Sequence, residues 1–551
     1  MLKDYSILIG GEAGQGTRLA GLIIAKLFNH LGYHIYIYED YQSLIRGGHN
    51  FSQIRATENG FQSRKEKDDF LLALDERTLN LHKKNLSEKG IIIFNSDKID
   101  SGEKGIGIPI QTIAKEMGGK PIMANTALIA AFAKVIGVEW EVLEDVFKKE
   151  IKKAIDLNLK IAKRAYDAPQ GLIKLKKIIQ KPRLILTGNE AAALGMVKAG
   201  LALYFAYPMT PATSILNYLA RHKNDFNIGV IQPEDEISVV NMALGASFAG
   251  AKSAVGTSGG GFDLMVEALS LAGQSETPIL IIESQRAGPS TGMPTYNLQS
   301  DLRFVITAGH GDFLRFVIAP GDAEQCLSYS GLALNLAWKY QTPVILLLDK
   351  DVSENTFTVN DKILPLLKPE KPLLWDKKGG YKRYKITKNG VSPLVFPGEK
   401  DAIVKATSYE HDEFGITIES EETEKMQEKR LRKFGAMGKE VEKLPAIKVY
   451  GNKKANKAIV AWGITKGAAI EAAENLGIKL IQPIIIEPFP KRQMERALKG
   501  VKKLVSVEMN TFGQMAEVLA GQGIKVNSKI LKYTGRPFFA REIEEKLRKI
   551  L

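Results

Sequence analysis

The chain has 551 residues, of which 44% are hydrophobic and 25% are charged, and its formal net charge is +14. At roughly 150 residues per domain, this length predicts three or four domains of a globular protein. The composition excludes collagen-like and fully disordered chains. No apolar run approaches the roughly 20 residues that a membrane helix needs, and we identify no signal peptide, so we expect a cytoplasmic protein.

The basic charge and the one cysteine further limit the kinds of function that the sequence allows. The lysine excess is spread over several stretches without a DNA- or RNA-binding motif. It therefore favours a solvated surface, or an acidic partner, over nucleic acid. Cys326 alone cannot form a disulfide, a structural zinc site or an iron–sulfur cluster. We predict no metal ligands here, so an electron-transfer cluster would need another chain.

Residues 1–180 alternate between strand and helix patterns, which is typical of a doubly wound α/β domain. Strands are predicted at Tyr5–Ile9, Tyr33–Tyr38, Phe70–Leu74 and Gly90–Phe94, and helices at Thr17–Leu31, Ala124–Ile136 and Trp140–Ile155. The glycine-rich turn Gly10–Gly16 is either a nucleotide or coenzyme site or a tight structural turn. It lacks the dinucleotide and P-loop spacings. Arg46–His49 is predicted to be a second flexible loop.

Residues 181–362 repeat this rhythm with more apolar strands, which predicts a parallel sheet covered by helices on both faces. The predicted strands are Leu184–Leu186, Leu203–Ala206, Gly229–Ile231, Ser253–Gly256, Pro278–Glu283, Phe316–Ile318 and Pro343–Leu348. The predicted helices are Asn189–Ala199, Ser214–Ala220, Glu234–Ala249, Phe262–Ala272 and Ala323–Trp338.

Residues 363–452 are rich in Pro, Lys, Gly and Glu, which predicts a connecting region that packs on a neighbour. It includes one charged helix, Glu419–Lys443. Residues 453–551 return to the α/β pattern, with strands at Ala458–Trp462, Lys479–Ile486 and Lys503–Glu508. The sequence therefore predicts several α/β domains and one connecting region.

Two loops after predicted strands carry candidate functional residues. Gly256–Gly260 matches the G-x-S-x-G pattern of a hydrolase nucleophile elbow, with Ser258 as the nucleophile. A hydrolase also needs a histidine, and only His310 and His411 follow; alternatively, the glycines hold the backbone against a cofactor. Tyr207–Thr213 contains two prolines that aim Thr210 outward, or it is an ordinary helix start.

Two charged side chains, at a predicted helix start and after a predicted strand, are further candidate functional residues. Glu234 and Asp235 are ordinary acids of a helix start, but Glu236 lies further inside and can exchange a proton with a ring nitrogen. Arg286 follows the predicted strand Pro278–Glu283. It suits a carboxylate substrate through a bidentate pair, or it belongs to a surface ion pair.

In this order, the motifs resemble the thiamine-dependent 2-oxoacid:ferredoxin oxidoreductases. The chain is similar to their alpha subunit with an N-terminal gamma-type domain, and Glu508–Gln514 and Tyr533–Phe538 extend the resemblance to the C-terminal part. The resemblance implies a gamma-type α/β domain at 1–180 and a thiamine-diphosphate pyrimidine-binding domain at 181–362. It also implies a transketolase C-terminal-like domain at 453–551, after the connecting region 363–452.

The resemblance also implies roles for single residues. Glu236 would hydrogen-bond the aminopyrimidine of thiamine diphosphate, Thr210 would face the substrate and Arg286 would lie near its carboxylate. Further substrate contacts are implied at Thr295 and Asp412. Further cofactor contacts are implied at Tyr207, Pro208, Thr257, Ser258 and Gly259.

The Gly-Asp-Gly motif that holds the diphosphate and Mg²⁺ in this family is missing. The resemblance therefore implies a beta subunit that carries Mg²⁺ and a [4Fe-4S] cluster, in a heterodimer or a dimer of heterodimers. The implied reaction converts a 2-oxoacid and coenzyme A to an acyl-CoA and CO2 and reduces ferredoxin. 2-Oxoglutarate is favoured over pyruvate or a broad range. The alternatives are a serine hydrolase using Ser258 and a non-catalytic binding protein.

Overall fold

The computed structural model describes residues 4–44, 47–100, 102, 104–175, 177–418 and 422–551. It divides into two compact units. Unit 1 consists of Met1–Ile185, Asn355–Asn360 and Phe538–Arg541, and unit 2 of Leu186–Glu354, Asp361–Pro537 and Glu542–Leu551. Within the described ranges, no helix is both long enough and apolar enough to span a bilayer.

Unit 1 is built on a mixed sheet. Its strands lie in the order Ile106–Ile108, Leu86–Asn95, Asp68–Ala73, Asp4–Ala13, Gly47–Thr57, His34–Asp40, Thr356–Val359 and Leu184–Thr187. Its helices are Thr17–His30, Glu76–His82, Ile110–Glu116, Ala124–Val135, Trp140–Glu150 and Ile155–Tyr166, with 3-10 turns at Lys83–Asn85 and Pro121–Met123. Asp4–Ala13 is parallel to Asp68–Ala73 but antiparallel to Gly47–Thr57.

Two predictions for unit 1 are wrong because glycines that were expected in loops belong to strands. Gly10 and Gly11 continue the strand and pair with Phe51 and Asn50, so the turn begins later than predicted. The predicted loop Arg46–His49 is instead the start of the strand Gly47–Thr57, while Arg46 itself lies outside the described residues.

The predicted helix Trp140–Ile155 is two helices, Trp140–Glu150 and Ile155–Tyr166. Ala154 between them has a left-handed backbone with φ of 49°, which cannot continue a right-handed helix. Both helices bury an apolar stripe, with Leu143 and Phe147 on one and Ile161 on the other, in the core of unit 1.

Unit 2 contains the sheet that carries the predicted motifs. Its strands lie in the order Ile485–Glu487, Phe316–Ile318, Pro343–Asp349, Ile279–Gln285, Ser253–Thr257, Leu203–Phe205 and Gly229–Ile231. The surrounding helices are Gly188–Lys198, Thr213–Arg221, Lys223–Phe226, Glu236–Phe248, Gly259–Gln274, Leu302–Thr307, Ala323–Tyr340 and Lys350–Glu354. The strands predicted between residues 203 and 348 are confirmed, and Leu184–Leu186 is a strand of the other sheet.

A second sheet of unit 2 has the strand order Ile447–Gly451, Lys479–Pro483, Lys457–Ala461, Lys503–Glu508 and Ser528–Leu531. The remaining helices are Glu422–Val441, Thr465–Leu476, Lys491–Leu498, Gln514–Gly521 and Ala540–Ile550, with a 3-10 turn at Asp361–Leu366. The charged helix predicted at Glu419–Lys443 thus spans Glu422–Val441, and residues 419–421 lie outside the described residues.

The strand predicted at Lys479–Ile486 is two strands in two sheets. Lys479–Pro483 pairs with Lys457–Ala461, whereas Ile485–Glu487 pairs with Phe316–Ile318. At Ile484, where the chain crosses, the N–H donates to Ala446 and the carbonyl accepts from Ala319. Because these backbone groups stay bonded, the crossing can lie in the buried interior.

Candidate active site

The predicted motifs meet at one edge of the sheet in unit 2. Leu203–Phe205, Ser253–Thr257 and Ile279–Gln285 are parallel neighbours, so their carboxyl ends lie side by side. The segments that follow contain Thr210, Ser258 and Arg286. In an open α/β sheet this edge is where ligands bind.

Glu236 is the first residue of the helix Glu236–Phe248. Asp235 caps this helix by accepting a hydrogen bond from the Ser238 N–H at 2.7 Å, which leaves Glu236 to turn inward. The Glu236 side chain is buried, and its Oε1 has no hydrogen-bond partner among the described residues. A buried carboxyl oxygen without a donor is costly, so this atom suits a ligand that supplies one.

Gly261 makes room for this carboxyl group. A Cβ at that position would lie 2.6 Å from Glu236 Oε1 and 2.0 Å from Thr257 Oγ1. Any larger residue would therefore displace one of these oxygens. Thr257 and Glu236 consequently share one buried space beside the start of the helix Gly259–Gln274.

Arg286 reaches back to the loop that holds Thr210. Its Nη1 donates to the Thr210 carbonyl at 2.9 Å and contacts Met209 Sδ at 3.4 Å. Burial lowers the pKa of Arg286. Among the described residues it has no carboxylate partner, so its remaining N–H groups can bind an anion. Tyr207 and Pro208 are exposed on the same loop.

A cavity of about 140 Å³ lies between these segments. It is lined by Ser258, Gly259, Gly260, Asp263, Arg286, Gly288, Pro289, Ser290, Asp301 and Phe304. Ser258 Oγ is buried there without a hydrogen-bond partner in the described structure. The cavity therefore brings the predicted residues Ser258 and Gly259 together with Arg286.

Three functional candidates in this region were not predicted from the sequence. Tyr204 Oη, both carboxyl oxygens of Glu283 and Nε2 of Gln285 are buried without partners among the described groups. The sequence signal for Glu283 and Gln285 is their position at the end of an otherwise apolar strand whose residues are all buried. Polar side chains at such a position are rarely needed for packing.

Thr295 and Asp412, the other two predicted substrate contacts, lie in different surroundings. Thr295 is buried in the loop after Arg286, which a hydrogen bond from the Ala287 N–H to the Tyr296 carbonyl closes at 3.0 Å. Asp412 Oδ1 instead accepts two hydrogen bonds from backbone groups of its own loop, at Phe414 and Ile416.

The loop of Asp412 lies at the far end of the long helix. Gln274, the last residue of Gly259–Gln274, donates to the Tyr409 carbonyl at 3.1 Å. This helix has 16 residues, which places its ends about 24 Å apart. The structure therefore does not bring Asp412 to Glu236 and Arg286.

No histidine of the described structure activates Ser258. The His310 N–H bonds Ser270 Oγ at 3.0 Å, and the His411 ring lies against Tyr384 with a centroid distance of 3.7 Å. The hydrolase hypothesis thus lacks the base that its mechanism requires.

Three family models match successive parts of the chain. Residues 6–168 match "Pyruvate ferredoxin/flavodoxin oxidoreductase". Residues 194–430 match the thiamine-diphosphate-binding model "Pyruvate flavodoxin/ferredoxin oxidoreductase". Residues 455–547 match "Pyruvate:ferredoxin oxidoreductase core domain II".

Similarity to characterised proteins extends over the whole chain. It is 32% identical to the 2-oxoacid:ferredoxin oxidoreductase subunit alpha of Saccharolobus solfataricus, over 99% of this chain and 98% of that protein. It is 27% identical to the 2-oxoglutarate oxidoreductase subunit KorA of Mycobacterium tuberculosis, over 100% and 92%. The solved 2-oxoglutarate:ferredoxin oxidoreductase of Magnetococcus marinus, with 2-oxoglutarate, coenzyme A and succinyl-CoA bound, has a TM-score of 0.90 and 30% identity, over 99% of both chains.

Proposed function

Because this chain belongs to the alpha subunits of the 2-oxoacid:ferredoxin oxidoreductases, with a gamma-like domain fused to them, we propose that it binds the 2-oxoacid of such an enzyme. The proposed reaction is oxidative decarboxylation to an acyl-CoA and CO2 with reduction of ferredoxin. 2-Oxoglutarate is the favoured substrate, and pyruvate or a broader range is the alternative. The observation that carries the proposal is Arg286, which has no described carboxylate partner and lies at the same sheet edge as the buried Glu236.

Glu236 is the residue proposed to hold the pyrimidine of thiamine diphosphate. Its buried, unpartnered carboxyl group fits the ring nitrogen of an aminopyrimidine, with which it can exchange a proton. When bound, the cofactor supplies the nucleophilic carbon that attacks the 2-oxo group. Further contacts to the cofactor are proposed for Tyr207, Pro208, Thr257, Ser258 and Gly259.

Arg286 is the residue proposed to bind the substrate carboxylate. Its bond to the Thr210 carbonyl fixes one N–H group and leaves the others for a bidentate contact. Partial burial excludes water and strengthens that contact, because the effective dielectric constant is lower than in water. Thr210 and Thr295 are proposed to border the same substrate, whereas Asp412 is left out because its loop lies at the other end of the helix.

The remaining parts of the enzyme are proposed to lie on a beta subunit. Among the described residues, no group of three or more His, Cys, Asp or Glu side chains could hold a metal ion. Cys326, the chain's one cysteine, cannot ligate a cluster alone. We therefore assign Mg²⁺ and the [4Fe-4S] cluster to that partner, in a cytoplasmic heterodimer or dimer of heterodimers. Coenzyme A is the proposed cosubstrate. We also propose that the chain is divided into four parts, with boundaries after residues 180, 362 and 452.

The test is to co-express the chain with its candidate beta subunit and to purify the complex without oxygen. Reduction of a viologen dye is then followed with coenzyme A and either 2-oxoglutarate or pyruvate. We expect turnover that requires both chains and falls about 10³-fold in Glu236→Gln, as expected when an essential proton-transfer group is removed. Glu234→Gln is the matched control, because Glu234 is exposed in the preceding turn.

A non-catalytic binding protein would give a different result. The complex would assemble with thiamine diphosphate and a cluster but would reduce no dye with either 2-oxoacid. Equal rates in Glu236→Gln and Glu234→Gln would also contradict the assignment of Glu236.

A further inference from the structure

Two carboxyl groups meet beneath the glycine turn of the candidate site. Glu283 is completely buried in the strand Ile279–Gln285, and the carboxyl group of Asp301 is its acidic neighbour. Both groups lie below Gly259, where a Cβ would be 2.8 Å from Asp301 Oδ2 and 3.8 Å from Glu283 Oε1. Neither oxygen of Glu283 has a hydrogen-bond partner among the described residues.

The described structure places no cationic partner on this pair. Among the described residues, no Lys, Arg or His forms an ion pair with Glu283 or Asp301. The other charged groups that face the pair are Asp263, from the helix Gly259–Gln274, and Arg286 across the cavity. Two neighbouring buried carboxyl groups resist ionising together without such help.

The ionisation of both acids is correspondingly suppressed. Burial, and secondarily the Asp301 carboxyl, raise the pKa of Glu283 well above its ordinary value. Burial raises the pKa of Asp301 to about 6. Two neighbouring acids of this kind titrate as a pair and not as independent groups.

The pair is connected to the residue that follows its strand. The Asp301 N–H donates to Gln285 Oε1 at 3.0 Å, and Gln285 directly precedes Arg286. Asp301 and Arg286 also line the same cavity. The number of negative charges on the pair therefore sets how strongly the protein itself attracts the guanidinium of Arg286.

We propose that Glu283 and Asp301 share one proton and act as a positioning pair that keeps Arg286 available for the carboxylate of the substrate. This inference rests on the proposed function of Arg286. When the shared proton is lost at alkaline pH, the second negative charge competes with the substrate for Arg286. The substrate then binds more weakly, while the steps after binding are affected less.

The kinetic test compares the wild-type complex with Glu283→Gln, which is neutral at every pH. In the wild type, we expect the KM for the 2-oxoacid to rise about tenfold as the pair deprotonates, with a smaller change in kcat. In Glu283→Gln, KM should stay within about twofold over the same range. Glu267→Gln removes an exposed acid from the neighbouring helix and should keep the wild-type profile.

A spectroscopic test detects the proton without turnover. Infrared spectra of the wild-type complex should show a protonated carboxyl band at neutral pH that is lost at alkaline pH and absent in Glu283→Gln. Asp301→Asn leaves Glu283 buried and protonated, so it should keep the band at neutral pH. It removes the second negative charge, so KM should again stay flat, and it replaces Glu283→Gln in the kinetic test if that variant does not fold. A missing band in the wild type, or an unchanged KM profile in Glu283→Gln, would overturn the inference. A complex with the band but no turnover would support the shared proton and contradict the proposed function.

Discussion

Buried acidic side chains near the two ends of the helix Gly259–Gln274 differ in whether a cation pairs with them. Just past its last turn, the carboxylate of Glu276 is buried and bonds Lys429 and Lys433. At its first turn, Glu236 and Glu283 are equally buried but have no cation as partner among the described residues.

Electrostatics separates these two environments. Burial opposes the ionisation of Glu276, but the charges of the two lysines outweigh it and lower its pKa. At the other end, burial and a neighbouring acid raise the pKa of Glu283. The carboxylate at one end is thus paired with cations of the chain, and these pairs hold the helix Glu422–Val441 in place. The other is left incomplete, which is expected where ligands bind.

The largest test of this comparison is Glu276→Gln. It leaves two buried lysines without their carboxylate, so we expect the complex to lose about 3–5 kcal/mol of unfolding free energy. Denaturant unfolding measures this loss, and KM at low temperature should stay unchanged. The triple replacement Glu276→Leu, Lys429→Met and Lys433→Met should recover most of the stability. A loss below about 1 kcal/mol in Glu276→Gln would show that the ion pairs are not structural.

Gly261→Ala should act on the opposite end. Its methyl group would press on Glu236 and Thr257, so we expect about 100-fold lower activity, with a stability loss of about 1–3 kcal/mol. Steady-state assays at rising thiamine diphosphate concentration measure the effect. The control is Gly245→Ala, on the helix Glu236–Phe248, where an added Cβ meets nothing within 4 Å. Equal activity of the two variants would contradict the crowding argument.

Arg286→Lys tests whether the incomplete end of the helix binds the carboxylate of the substrate. Lysine keeps the charge but loses the planar fork, so KM for the 2-oxoacid should rise about 10- to 100-fold, with a smaller change in kcat. Arg303→Lys is the control, because Arg303 forms an exposed ion pair with Glu517. If both variants kept the wild-type KM, Arg286 would not bind the carboxylate.

The smallest expected effect is on the pH dependence of stability. Since the pKa of Glu276 is lowered from 4.5, its contribution is present above that pH and is lost as the pH falls below it. Since the pKa of Glu283 is raised from 4.5, its ionisation destabilises the fold as the pH rises. Melting temperatures across pH should therefore lose their acid-side slope in Glu276→Gln and their alkaline-side slope in Glu283→Gln. Exchanged effects would contradict the two assignments.

The sequence predicted most of the parallel sheet of unit 2 because its strands are apolar along their whole length. It did not predict the strand Gly47–Thr57, because polar residues occupy much of it. Gln53 bonds Asp68 at 2.7 Å and Arg55 bonds Asp4 at 2.7 Å, and these partners lie 15 and 51 residues away in the sequence. Such pairs are formed by tertiary structure and leave no local pattern.

As with the fold, the sequence predicted part of the candidate site. Glu236, Ser258 and Arg286 follow or start elements whose order along the chain already places them at one sheet edge. The pair Glu283 and Asp301 was not predictable, because the contact depends on how the loop after Arg286 folds back. Asp412 was placed by resemblance alone, and the connecting region carries it to the other end of the helix.

The strand Ile485–Glu487 has a consequence for any attempt to divide unit 2. It forms an outer strand of the sheet that holds the loops of the candidate site, although the preceding strand belongs to the other sheet. A fragment ending before it would leave Phe316–Ile318 as an open edge, with unpaired backbone groups that invite aggregation. Limited proteolysis between the two sheets should therefore yield insoluble pieces. A minimal catalytic fragment of this unit must retain the segment through residue 487 even though the residues that line the candidate cavity end at Phe304.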